Sequence, residues 1–203
     1  MLIHYFPFEE DINDTKGSGL VLSPPTISEI DSKKCAGDHF AINLMDELKE
    51  QYTISVEINR THYVGQSFCT DFEVLSSFSE LAPWGTANYN IVTLYHDRWH
   101  MHQMTITYGG NSVYVDKDLI GTGWHQYVIR QNSSTIKVFI DDEMIWEGTP
   151  IAKLGCIAFG NAHTSYGGVY CRNLKIYNSF TATLDNDSCL YEKENQIYAQ
   201  IRR

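Results

Sequence analysis

No pair of cysteines in this 203-residue chain has CxxC spacing, and that gap removes several functions at once. Its five cysteines, Cys35, Cys69, Cys156, Cys171 and Cys189, are odd in number and widely separated. Neither a complete disulfide framework nor a zinc knuckle can be read from them, which leaves free, buried thiols as the expectation. Basic charge is also scarce. Fifteen Lys and Arg stand against 25 Asp and Glu, for a net charge of −10. Such a surface repels a phosphate backbone, so nucleic acid is not an expected partner. Long apolar runs are missing, which argues against membrane insertion. Residues Met1 to Glu10 lack the basic n-region and small-residue cleavage site of an export signal. The expected setting is therefore cytoplasmic or particle-borne, as in a virion. Without that signal, the sequons at Asn13, Asn59, Asn132 and Asn186 carry little weight. Helical periodicity is nearly absent too: only Met45 to Glu50, after Asn43, has it, and one or two turns cannot build a helical layer.

What the chain does have is aromatic and alternating. With 13 Tyr and 9 Phe there is ample material for the interior of a sandwich. Tyr52 to Ile58 puts Tyr52, Ile54, Val56 and Ile58 on one face, the pattern of a half-buried strand. Asn90 to Tyr95, Met101 to Tyr108 and Asn111 to Val115 follow, the last after a Gly109-Gly110-Asn111 turn, which predicts a meander. The clearest hairpin is Thr135 to Ile140, then Asp141-Asp142, then Glu143 to Trp146. Its Asp pair can accept the positive φ angles of a tight turn.

The order of these segments resembles the laminin G-like branch of the concanavalin A-like lectin and glucanase superfamily over roughly residues 2–178. Tyr5 to Gly19 looks like that family's first strand and its Asp-containing, Gly-rich turn. Gly123-Trp124-His125-Gln126-Tyr127-Val128-Ile129 is similar to its Trp-His strand. Val138 to Asp142 resembles its Tyr-Val-Asp-Gly turn, with Asp142 in place of Gly. Gly155 to Asn161 and Gly167 to Asn178 look like its closing strands, the last returning beside the first. The resemblance implies an all-β, two-sheet antiparallel jelly-roll sandwich over residues 1–180, with residues 181–203 as a C-terminal arm on the domain or a partner. Trp124, Val128, Ile136, Val138, Ile140, Ile157, Phe159, Leu174 and Ile176 are then expected in the core. The two closing strands would bring Cys156 and Cys171 together.

Glycanases of this fold need two carboxylates about 5–9 Å apart, commonly on a Glu-x-Asp-x-Glu strand. That spacing does not occur. Asp71-Phe72-Glu73 has only two acids, and Asp141-Asp142-Glu143 lies in a turn. Lyases of the fold use Tyr and His with Arg and Gln; Arg98 and Arg130 are present, but the motif order does not match. His100 and His102 share a strand face, yet no nearby Cys or Glu completes a zinc site. Calcium ligands are sought instead at Asp11, Asn13 and Asp14, and at Asp116 and Asp118. For sugar binding, aromatic platforms beside planar polar groups are required. Trp84, Tyr89, Trp99, His100, His102, Tyr114 and Tyr166 form the expected rim.

The function these features favour is a non-catalytic carbohydrate- or surface-binding module, with a glycan or a protein surface as partner. A structural subunit of a homo-oligomer or larger assembly, such as a phage or virus particle, is a second reading. A glycan hydrolase or lyase is a third, and the missing acid pair argues against it.

Overall fold

The structure, a computed structural model, describes residues 1–9, 11–22, 25–37, 40–44, 50–60, 68–75, 90–97, 103–108, 111–116, 123–159 and 169–181. From 68 to 116 the backbone pairing is described, with side chains only at Val74, Leu94, Ile106 and Val113. Every regular element among these residues is a strand: β1 (Leu2–Phe6), β2 (Leu20–Leu22), β3 (Thr26–Ile30), β4 (Lys33–Gly37), β5 (Phe40–Asn43), β6 (Tyr52–Arg60), β7 (Phe68–Leu75), β8 (Asn90–Asp97), β9 (Gln103–Tyr108), β10 (Asn111–Asp116), β11 (Trp124–Gln131), β12 (Ile136–Ile140), β13 (Glu143–Gly148), β14 (Cys156–Phe159) and β15 (Val169–Tyr177).

They form two antiparallel sheets, one of seven strands in the order β10-β9-β8-β7-β14-β5-β2. The other has eight, in the order β13-β12-β11-β6-β15-β4-β3, with β1 also paired to β15. The two inner faces meet in one core, the arrangement that lets each sheet bury its apolar side. The chain is thus an all-β sandwich. Strand phase explains why. On β6, Tyr52, Ile54, Val56 and Ile58 are at most 1% exposed and join the core, while Thr53, Ser55, Glu57 and Asn59 take the opposite face. Rings of Phe6, Phe8, Phe40 and Phe159 run through the interior with successive centroids 5.9, 5.5 and 5.0 Å apart. At one end of the core Tyr52 donates to Gln131 Oε1 at 2.9 Å, and Gln131 Nε2 donates to the Ala152 carbonyl at 2.8 Å. The buried polar groups there are thereby satisfied.

The predicted hairpins form. β9 and β10 pair from Tyr108↔Asn111 outward. Asp141 and Asp142 sit at φ 48° and 66°, the type I′ turn that matches strand twist. The last strand lies beside the first, and Asn178 N donates to Met1 O at 3.1 Å.

Three expectations need correction or fall elsewhere. On β11 it is Tyr127 and Ile129 that join the central core cluster; Val128, one residue out of phase, is buried as expected but lies apart from that cluster, while Trp124 faces outward and is only half-buried. Odd and even positions of a strand point to opposite sides, so one misjudged anchor inverts the whole face. Cys156 and Cys171 lie in different sheets, on β14 and β15. The neighbour of Cys171 is Cys35, one residue before Ala36, its cross-strand partner. Of the expected helical turn, Met45 to Glu50, residues 45–49 lie outside the described residues, as does the expected arm, 181–203, from residue 182 on.

Candidate functional site

The outer face of the eight-stranded sheet is built by the polar half of each alternation. β15 holds the key irregularity. Val169 and Cys171 point into the core, Tyr170 and Arg172 out. Then Asn173, at φ 51°, is bulged before Leu174 and Ile176 return to the core. The extra residue resets the phase, so that Arg172 and Lys175 both emerge on the outer side. The bulge falls where the neighbour of β15 changes from β4 to β1, and Asn173 N donates to Pro7 O at 3.2 Å there. Asn tolerates the left-handed region better than most residues.

Around this bulge stands an aromatic and charged cluster. Lys33 Nζ lies 5.5 Å and the Arg172 guanidinium 5.8 Å from the Trp124 ring centroid, both within cation–π range. Glu57 accepts from Asn173 Nδ2 at 2.6 Å through Oε1, and its Oε2 is 3.2 Å from Arg172 Nε and 3.8 Å from Lys33 Nζ. The Arg172 contact is an ion pair, without the alignment of a hydrogen bond, so Nε is buried with its donor unused. Trp124 Nε1 is likewise shielded and without an acceptor. Beside them Gln126 donates to Ser55 Oγ at 3.2 Å, Asn59 donates to Asp31 at 3.2 Å, and the Tyr5 hydroxyl reaches Asn173 at 3.3 Å. Lys175 sits 5.6 Å over the Tyr5 ring, and Arg130 5.5 Å over Phe139. The sequence carried a signal for this face in the alternation of β6 and β15, but reading Trp124 as core concealed it.

The residues expected to hold calcium have other commitments where they are described. Asp14 Oδ1 accepts the backbone N–H of Tyr5, Lys16 and Gly17 at 2.9–3.0 Å; Oδ2 accepts that of Gly19 at 3.0 Å and lies 2.6 Å from His4 Nδ1. A cation at Asp14 would have to displace these donors. Asp11 Oδ1 accepts from Asn13 N at 2.9 Å in a local turn. Among the described residues no three His, Cys, Asp or Glu side chains are grouped as a metal would need. Tyr114 and Asp116 are placed on β10, opposite Thr105 and Gln103, with their side chains outside the description. Trp84, Tyr89, Trp99, His100, His102, Asp118 and Tyr166 lie outside the described residues.

No protein-family model matches the sequence, and no curated protein matches it. Solved structures do. A structure of botulinum neurotoxin type C, whose cell entry depends on interaction with two ganglioside molecules, aligns with a TM-score of 0.64 at 13% identity, over 94% of this chain and 51% of that one. The ligand-binding domain of botulinum neurotoxin serotype D, in complex with N-acetylneuraminic acid, gives 0.64 at 13% identity, over 95% and 50% of the two chains. The binding domain of botulinum neurotoxin DC, in complex with rat synaptotagmin II, gives 0.62 at 12%, over 89% and 49%. The likeness is one of fold. This chain spans about half the length of those structures. Among the described residues no helix is long and apolar enough to cross a membrane.

Proposed function

We propose that this chain is a non-catalytic β-sandwich module that binds a glycan on the outer face of its eight-stranded sheet. The observation that carries the reading is the Trp124 ring, standing outside the core with Lys33 and Arg172 within 6 Å of its centroid and with Glu57, Asn173 and Gln126 in the same cluster. A sugar offers an apolar C–H face for a ring and hydroxyls for planar polar groups, and this cluster supplies both. The fold neighbours whose ligands are gangliosides and N-acetylneuraminic acid lend support, since a sandwich of this shape is used to present binding surfaces. The rim of Trp84, Tyr89, Trp99, His100, His102, Tyr114 and Tyr166, and calcium at the Asp11 or Asp116 loops, extend the same proposal. The laminin G-like affiliation and a place on a virus particle belong to it as well.

The test is a glycan array run with and without calcium, on wild type and Trp124→Ala. Specific binding that disappears in the variant while its melting temperature stays within a few degrees supports the reading. A clean array for the wild type sinks it.

A second reading, a subunit of a larger assembly, rests on β13, an edge strand in the described sheet, where Met144 is 48% exposed, with Ile151 49% exposed shortly after it. An unpaired edge beside apolar side chains is a surface on which another chain can add a strand. Light scattering that reports a monomer at every concentration tested would remove it.

A further inference from the structure

The donors of the Trp124 cluster outnumber its acceptors. Arg172 has five N–H groups; its side chain is 19% exposed, and its Nε, 3.2 Å from Glu57 Oε2, has no aligned acceptor. Trp124 Nε1, beside it, is shielded and also unpartnered. Buried donors without acceptors are rare in folded proteins, because each forfeits the hydrogen bond that water would have given it. Two such donors leave this face short of acceptors, and the part of the Arg172 side chain that stays exposed is where an incoming acceptor can pair with it.

Charge sharpens the point. The chain as a whole is acidic at −10, yet the described outer face of the eight-stranded sheet carries Lys33, Arg130, Lys137, Arg172 and Lys175 against Glu57, Glu147 and Asp31. Among the described residues the anion at its centre is Glu57, shared between two cations at 3.2 and 3.8 Å. Lys33 and Arg172 are therefore half-neutralised. We infer that the Arg172, Lys33 and Trp124 cluster binds the carboxylate of an acidic sugar residue, with Glu57 as the internal counter-ion that holds the cations in place when no ligand is bound. This rests on the glycan-binding reading and narrows it to a ligand class. A planar carboxylate fits the guanidinium fork, and the Trp124 ring offers the sugar an apolar surface.

The experiment titrates the full chain with a hyaluronan octasaccharide and with sialyllactose, each against its carboxyl-reduced, neutral counterpart, alongside a neutral glycan array. Wild type, Arg172→Gln, Arg172→Lys and Glu57→Gln are compared, with thermal melting as the folding control. Glu57→Gln keeps an oxygen for Asn173 while removing the competing charge. The expected result is that at least one acidic form binds about tenfold or more tightly than its reduced counterpart. Arg172→Gln should abolish that preference, and Arg172→Lys should restore only part of it. Glu57→Gln should tighten the acidic form several-fold and leave neutral glycans unchanged. Trp124-dependent binding that ignores the carboxyl group, or a Glu57→Gln variant that binds the acidic form more weakly, overturns the inference and leaves the module reading intact. Absence of binding to every glycan, acidic or neutral, overturns both.

Discussion

His4 Nδ1 lies 2.6 Å from Asp14 Oδ2, and the two side chains are 0% and 2% exposed. Asp14 thus staples β1 to the loop that follows it. The staple depends on two glycines: a Cβ at Gly17 would fall 2.4 Å from His4 Nδ1, and one at Gly19 2.6 Å from the Phe6 ring. Burial alone would raise the Asp14 pKa. The bonds from His4 and from the backbone of Lys16, Tyr5 and Gly17 outweigh it and hold the carboxyl below its ordinary 3.8. A depressed carboxylate contributes stability above its unfolded pKa and loses it as pH falls through that value toward the folded one. Asp14→Asn should therefore be less stable than wild type at neutral pH, by about 1–3 kcal/mol as its N–H partners lose the charged acceptor. The gap should narrow below about pH 4. Chemical denaturation of both proteins from pH 7 to pH 3 measures it, and a gap that does not change with pH contradicts the assignment.

Trp124 and Tyr127 sit three residues apart on β11 and should answer truncation in opposite ways. Tyr127 is fully buried in the core, so Tyr127→Ala should cost about 3–5 kcal/mol. Trp124 is half-buried on the other face, so Trp124→Ala should cost less than about 2 kcal/mol, most of it lost ring contact with Lys33 and Arg172. Its larger effect should be on glycan binding. Equal losses of stability from the two would place Trp124 in the core after all.

Much of the fold was legible because one physical rule, alternation with period two, writes it directly into the chain. β6 shows it cleanly, with four apolar residues inside and Thr53, Ser55, Glu57 and Asn59 outside. The Asp141-Asp142 turn was legible because few residues accept consecutive positive φ angles. The outer face was harder. On β11 both phases contain a large aromatic, Trp124 in one and Tyr127 in the other, so hydrophobicity did not decide between them. Which phase is buried is set by the partners, Val56 and Ile140 against Tyr127 and Asn59 against Trp124, and strand pairing is not local information. The Arg172 and Glu57 contact escaped for the same reason, since it joins positions more than a hundred residues apart through a bulge that strict alternation hides.

That bulge gives the third prediction. Asn173 holds φ 51° while donating to Glu57 and accepting from Tyr5. Asn173→Gly should keep the backbone and lose the side-chain bonds, for a cost of about 1 kcal/mol. Asn173→Val places a β-branched residue at positive φ and should cost visibly more, about 2–3 kcal/mol, because steric strain is added to the same lost bonds. If the two variants melt together, the bulge does not persist in solution.

Cys35, Cys156 and Cys171 are buried thiols outside any disulfide. Burial pushes the Cys171 thiol well above its usual range, and the neighbouring Cys35 adds to this. It raises Cys35 too, despite the lowering effects of Ile30 and Arg172. Thiols held protonated and away from solvent are poor nucleophiles. Mass spectrometry after brief alkylation at pH 8 should find these three unmodified in the native protein and labelled in denaturant, and the melting temperature should be the same with and without reductant. Rapid native labelling of Cys171 would show that the sheet around β15 opens.

The last prediction concerns the turn where the chain departs from the glycine its position favours. Asp141 and Asp142 both adopt positive φ, at 48° and 66°, but only one of them uses its side chain. The Asp141 carboxylate accepts from Gln126 N at 2.9 Å and lies 2.7 Å from His125 Nδ1, tying the β12–β13 hairpin to β11. Asp142 is exposed and has no comparable bond among the described contacts. Gly at the second turn position relieves the left-handed strain that any Cβ imposes, against the extra freedom it gives the unfolded chain. Relief should win here because Asp142 forfeits no contact, so Asp142→Gly should be neutral to stabilising by up to about 1 kcal/mol. Asp141→Gly satisfies the same angles but loses both links to β11, and should destabilise by about 1–2 kcal/mol. Urea denaturation of the two single variants separates strain from bonding, and a stabilised Asp141→Gly would mean that the contacts with His125 and Gln126 contribute nothing to the hairpin.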